Sequence, residues 1–315
     1  MSTVEIVLWS IFVAVSSLFL AVLLDGLRRI VRARIQRRIG PPLLQTLYDL
    51  VKLFRIPPVL PYRDKLLVAL PYMALASALV LSAMLPVPYV MDLSSGFGVI
   101  SLFYMVLLVT CLTVLAGLIV PNPYSNAGSS RELQLLAVFE AFTALTIVGL
   151  AVSIGWLKLY DLSMVYGRLE YYVRPSVILL SISLLVIAYI ESGFTPFDIG
   201  EAETEVLGGP LLELGGRYYA LYMMSGLLKR YVLVGLATSL VLVSPIMNIL
   251  SAIISGPWLS IVSYLVFLGL QIITYTLYSA VEAMNPRYRL DILLKPLLTA
   301  SLLPLVAVIL GCMGW

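Results

Sequence analysis

Carboxylates in this chain gather where chemistry with protons or cations would need them. Between Glu191 and Arg217, in ESGFTPFDIGEAETEVLGGPLLELGGR, stand Glu191, Asp198, Glu201, Glu203, Glu205 and Glu213 against a single base, Arg217. Long apolar runs flank this stretch on both sides. Carboxylates so placed must reach water, meet a partner or hold a proton, because burying them unpaired is very costly. Pro196 and Phe197 open the stretch, Gly208-Gly209-Pro210 breaks it, and Val206, Leu207, Leu211 and Leu212 give it apolar surface to bury. The pattern from Ile199 to Leu207 predicts a short helix with Asp198 near its N-terminus, which sets Glu201 and Glu205 one turn apart on one face. The competing reading of the same residues is a plain solvated loop.

A second acid stands alone. In SSRELQLLAVFEAFTALTIVGL, Arg131 and Glu132 lie at one end of an apolar run and Glu140 lies about two turns deeper. A carboxylate at such depth is by default a candidate for a proton or ion path. Its alternative is a packing role, hydrogen-bonded to a neighbouring helix. Lys229 falls inside another apolar run, where it either supplies the charge these acids lack or snorkels to the interface.

Other chemistries are excluded. Cys111 and Cys312 are the only thiols and histidine is absent. The chain therefore cannot build an iron–sulfur cluster, a nickel–iron site, a His-ligated haem or zinc, or a histidine relay. It also lacks a phosphate-binding glycine motif. Metal is expected at none of its residues, and electron carriers are expected only in partner subunits.

The elements that must position these residues are membrane helices. Of 315 residues, 61% are hydrophobic and 12% charged, against about 25% charged in an ordinary soluble domain. The expected fold is all-α, a single integral membrane domain over residues 1–315. Hydropathy gives about eight crossings, near 4–24, 66–87, 99–120, 133–152, 174–192, 218–243, 258–281 and 296–314. The sixth has an alternative, a surface helix followed by a crossing from Tyr231 to Ile254, because Lys229 and Arg230 interrupt it. If residues 25–65 are cytoplasmic, 17 of the 20 Lys and Arg share that side, and only Lys158, Arg168 and Arg174 face outward. This bias predicts both termini outside and the acidic loop in the cytoplasm. The first run begins at Val4 without a basic leader region and reads as a retained helix, not a cleaved signal.

Helix one continues past Leu24 with Asp25, Arg28, Arg29 and Arg32 on one face, and its basic extension is expected to reach Arg38. Gly40-Pro41-Pro42 stops it. LLQTLYDLVKLF then predicts an amphipathic helix in the interface, with Leu43, Leu47, Leu50, Val51 and Phe54 on one face and Gln45, Asp49 and Lys52 on the other. Near the C-terminus VEAMNPRYRLDILLK sets Glu282 at a helix end and Arg287, Arg289 and Asp291 in an inner turn.

RRIGPPLLQTLYDLVKLF, SSRELQLLAVFE, the 191–217 stretch and NPRYRLDILLK resemble, in order and spacing, subunit 1 of respiratory complex I and its relatives in membrane-bound energy-converting hydrogenases. The resemblance covers nearly the whole chain, and PFD-x-x-EAE-T-E is its most specific part. Ser130-Arg131-Glu132, Lys229 and EAETEV-x-GGP are more similar to archaeal membrane-bound hydrogenase and the related sulfur-reducing complex. Phe194 and Gly226 depart from residues common in complex I.

The resemblance implies a membrane anchor and coupling subunit of a ferredoxin-linked hydrogenase or sulfur reductase. Its implied partners are peripheral hydrogenase-like large and small subunits, which hold the nickel–iron and iron–sulfur centres, antiporter-like membrane subunits and the lipid bilayer of the cell membrane. No nucleic acid is implied. The coupling path would use Glu132, Glu140, Lys229 and the acids of the 191–217 stretch. The docking surface for the peripheral arm would use Arg34, Arg37, Arg38, Gln45, Asp49, Lys52, Arg131, Arg217, Arg287, Arg289 and Asp291. The alternative is a quinone-chamber subunit of a complex I-like oxidoreductase.

Overall fold

A computed structural model describes residues 3–313 except 62, 63, 91, 156, 157, 201–206, 255, 257 and 289. Long apolar sequence closes its backbone hydrogen bonds internally as helix, and the described residues fold accordingly into helices joined by short connections. In chain order these are α1 (Thr3–Ile35), α2 (Gln45–Arg55), α3 (Lys65–Ala83), α4 (Val99–Ile119), α5 (Pro123–Ile154), α6 (Leu159–Tyr166), α7 (Leu169–Tyr172) and α8 (Pro175–Glu191). After the acidic stretch come α9 (Arg217–Thr238), a π-helical turn (Ser239–Val243), α10 (Ser244–Leu250), α11 (Trp258–Met284) and α12 (Leu290–Cys312). Among the described residues, six helical spans are long and apolar enough to cross a membrane, and Pro175–Glu191 and Leu297–Cys312 are shorter apolar helices.

Local chemistry sets the helix ends. Asp64 caps α3 by accepting from the Leu66 amide, and Asn122 caps α5 from Tyr124 N with Pro123 in the first turn. Gly155, at φ +80, ends α5 in the left-handed conformation that favours glycine. α1 stops at Ile35 and not at Arg38. Arg37 adopts φ +55, which no helix can continue.

The centre of the bundle is α9, packed against α1, α3, α8 and α11. It forms one continuous span with the π-turn and α10, Arg217–Leu250, and 72% of its most apolar window is buried. The surface-helix alternative for this region is therefore overturned. Lys229 and Arg230 are tolerated because protein, not lipid, surrounds this helix, and both find partners there.

Close approach matters at the acidic stretch. A Cβ on Gly128 would lie 2.5 Å from Gly209 Cα, and one on Gly117 would lie 2.7 Å from Pro210 Cα. The Gly-Gly-Pro break thus packs its backbone directly on α4 and α5. Backbone bonds in both directions between Val59 and Gly215 tie the other end of the stretch to the segment after α2.

Candidate functional site

Helices α1, α4, α5, α8 and α9, with the segment after α8, border a cleft of about 440 Å³. Asp25, Glu132, Glu191, Asp198, Lys229 and Arg230 are residues of opposite charge brought onto its wall. Lys229 Nζ donates to Thr110 Oγ1 at 2.6 Å, and Thr143 Oγ1 lies 3.0 Å from Glu191 Oε2. Glu132 occupies the space that a side chain on residue 200 would need, since a Cβ on Gly200 would stand 2.0 Å from its Oε2.

Glu140, on the adjoining turn of α5, has both carboxylate oxygens buried and, among the described residues, without a hydrogen-bond partner. The charged groups acting on it are Glu191 and Lys229. Lys229 also acts on Glu132 and Glu191. Three carboxylates around one ammonium leave this place short of positive charge, a condition suited to holding protons or cations.

A second ionic cluster closes one end of the cavity. Arg28 meets Glu282 through Nε at 2.8 Å and Nη2 at 3.2 Å, and meets Asp25 at 3.2 Å. Asp25 also binds Arg29 at 3.1 Å, Arg230 at 3.5 Å and the Thr46 hydroxyl at 2.9 Å. Arg32 approaches Glu282 at 3.4 Å. Phe194 lies between the two inner arginines, each guanidinium 5.4 Å from its ring centre, and stacks on Tyr189. This cluster was not expected as a site. Only its α1 half was legible, as the spacing of Asp25, Arg28, Arg29 and Arg32. Glu282 and Arg230 arrive from distant helices.

The other expected path residues divide. Asp198 reaches the cavity wall and also binds Arg287 at 2.7 Å. Glu213 instead accepts from Asn122 Nδ2 and pins the acidic stretch to the start of α5. Glu201, Glu203 and Glu205, with the short helix expected there, lie outside the described residues. So do Arg289 and the side chain of Asp291.

Among the expected docking residues Arg34, Arg37, Arg38, Lys52, Arg217 and Arg287 are exposed, while Gln45, Asp49 and Arg131 are half-buried. The polar stripe of α2 partly turns inward, because Arg29 binds Asp49 at 2.9 Å and Gln45 Nε2 donates to Asp49 at 2.9 Å. Leu50 and Thr46 face the bundle, whereas Leu43, Leu47, Val51 and Phe54 are exposed, as a lipid-facing stripe would be.

Helix lengths, composition and this charged cleft define the class: a multi-pass helical membrane protein with an ionisable interior. The chain matches the NADH dehydrogenase family over residues 7–313 and belongs to that family, in its complex I subunit 1 type. Hydrogenase-4 component C of Escherichia coli strain K12 is 32% identical over 239 residues, 75% of this chain and 76% of that protein. Formate hydrogenlyase subunit 4 of the same strain is 29% identical over 231 residues, 72% of this chain and 74% of that protein. A solved chain of an archaeal membrane-bound sulfane sulfur reductase, a respiratory membrane complex, shares the fold with a TM-score of 0.81 at 21% identity, covering 96% of this chain and 98% of that one.

Proposed function

We propose that this chain is the membrane anchor and coupling subunit of a ferredoxin-linked respiratory complex of the hydrogenase or sulfur-reductase type. In this reading it links redox chemistry in a peripheral arm to proton or sodium translocation in a cell membrane. The observation that carries the reading is the placement of Glu132, Glu191 and Lys229 on one cavity wall, with Glu140 on the adjoining turn of α5 within the field of both Glu191 and Lys229. A charge change at Asp198, which lines the cavity and pairs with Arg287, would alter the balance at Lys229 and so the occupancy of the acids around it. Nickel–iron and iron–sulfur centres belong, in this proposal, to peripheral subunits seated on the exposed basic residues. Antiporter-like membrane subunits would receive the coupled ions.

Glu140→Gln tests it in sealed vesicles of the purified complex. The expected result is normal assembly and normal electron transfer with artificial carriers, with fewer ions moved per electron. Unchanged stoichiometry would return Glu140 to a packing role. Glu201→Gln with Glu205→Gln probes the acidic stretch in the same assay, where loss of the peripheral arm would make that stretch a docking surface instead. The second reading, a quinone chamber, draws on the cavity's volume, which lies within the roughly 300–1,000 Å³ of small-molecule sites. Quinone retained by the purified complex would decide for it.

A further inference from the structure

A polar seam runs beside the cavity without lining it. On α11, Tyr264, Gln271, Tyr275 and Glu282 follow one another at spacings of seven, four and seven residues, so all four fall on one helical face. All are buried, the exposures being 6%, 1%, 1% and 2% in that order. At about 1.5 Å per residue the row extends roughly 27 Å, close to the ~30 Å of a bilayer's hydrocarbon core.

This face looks onto α1 and α9. Glu282 grips Arg28, Gln271 Nε2 donates to the Tyr231 carbonyl at 3.0 Å, and the Tyr264 hydroxyl lies 2.6 Å from Ser16 Oγ. Tyr275 packs edge-on against Phe194 and lies within the field of Asp25, Arg28, Arg230 and Glu282. Tyr231, fully buried, stands close enough to interact with both Tyr275 and Tyr264. Among the described residues Tyr275 Oη and Gln271 Oε1 find no hydrogen bond, and Tyr231 Oη has only the Tyr264 hydroxyl within reach, in poor geometry. Leaving a buried polar group without a partner is costly. Two orphans one turn apart on one seam, beside a third hydroxyl held only loosely, are what buried water would satisfy.

We infer that water occupies this seam and that, with the tyrosine hydroxyls, it forms a second proton-conducting strand from the Arg28–Glu282 cluster to Ser16. Each hydroxyl or water accepts a proton on oxygen as it passes its own proton onward, so no bond changes beyond O–H bonds and no oxidant or reductant is consumed. The water sites stand on the geometry alone. The conducting role rests on the coupling function proposed above.

Two measurements on the intact complex decide it. A density map of the complex in lipid should show ordered water within hydrogen-bond distance of both Tyr275 Oη and Gln271 Oε1; a dry seam overturns the inference. Tyr231→Phe with Tyr275→Phe keeps both rings and removes both hydroxyls. Ions moved per electron should then fall while subunit content and electron transfer with artificial carriers hold. If the double variant does not assemble, Tyr275→Phe alone carries the same expectation. Unchanged stoichiometry overturns the strand. Loss of pumping in Glu140→Gln but not in the tyrosine variant would sink this strand alone, whereas normal pumping in both would sink the coupling function too.

Discussion

Removing Glu282 should cost the bundle heavily. It is buried, and Arg28 holds it at 2.8 and 3.2 Å while Arg32 and Thr195 approach at 3.4 Å. Without its carboxylate, Arg28 is left with Asp25, which Arg29 and Arg230 already share. Breaking a buried pair from one side costs about 3–5 kcal/mol. The Arg28 side chain is 17% exposed, so some hydration returns and the lower end, about 3 kcal/mol, is the better figure. At about 2–4 °C per kcal/mol, Glu282→Ala should lower the melting temperature of the detergent-solubilised complex by roughly 6–12 °C. Scanning fluorimetry of intrinsic emission, with light scattering on the same sample, reads this directly. Replacing the whole pair, Arg28→Met with Glu282→Met, should restore part of the loss, because a well-packed apolar pair leaves no bare charge. The reasoning fails if Glu282→Ala melts within about 1 °C of the parent, or if the double substitution is as damaging as the two singles added together.

Three further outcomes follow from other residues. Asp92, in the α3–α4 connection, is fully buried with Oδ2 unpartnered among the described residues, and burial pushes its pKa up to about 7 against the pull of its hydrogen bonds from Ser94. The folded value lies above the usual 3.8, so the unfolded chain loses its proton first as pH rises. Stability should therefore fall between about pH 4 and pH 7, and Asp92→Asn should flatten melting curves across that window. Gly200→Ala should displace the Glu132 carboxylate, which would stand 2.0 Å from the new Cβ; because that carboxylate ends a flexible side chain, ions moved per electron should drop with assembly intact. For topology, single cysteines at Arg38 and Ile253, in a chain with Cys111 and Cys312 replaced by serine, should label from opposite membrane faces. Labelling from one face would reject the orientation drawn from the basic residues.

Hydropathy located most helices well because apolar length is a local property. Residues 99–120 and 258–281 were expected, and Val99–Ile119 and Trp258–Met284 form. The run expected from residue 133 begins ten residues earlier, at Pro123. Its first turns are polar and small, and they are helical because Asn122 caps them and Ser125, Gly128 and Ser129 pack inward near Gly209 and Pro210. A window average cannot register that. The deep position of Glu140 was legible from its neighbours. Its company was not, since Lys229 and Glu191 come from other helices. The same holds for Glu282, whose place at a helix end carries no sign of Arg28, 254 positions away in sequence and bound to it.

The π-turn at Ser239–Val243 gives the central helix an uncommon mechanical property. An α-helix advances about 100° per residue, so a turn holding one extra residue offsets everything after it from everything before it. Lys229, Arg230 and Tyr231 lie on one side of that offset, and Ser244, with its Oγ 2.7 Å from Ser163 O and 3.0 Å from Ser239 O, sits just beyond it. A π-turn differs from an α-turn only in which carbonyl each amide selects. The half of the helix after it is thereby set at a different angle about the axis from the half before it. The span from Arg217 to Leu250 is in this sense a shaft with a built-in offset, its far end held to α6 by the Ser244 hydroxyl and its near end carrying the ammonium that three acids share.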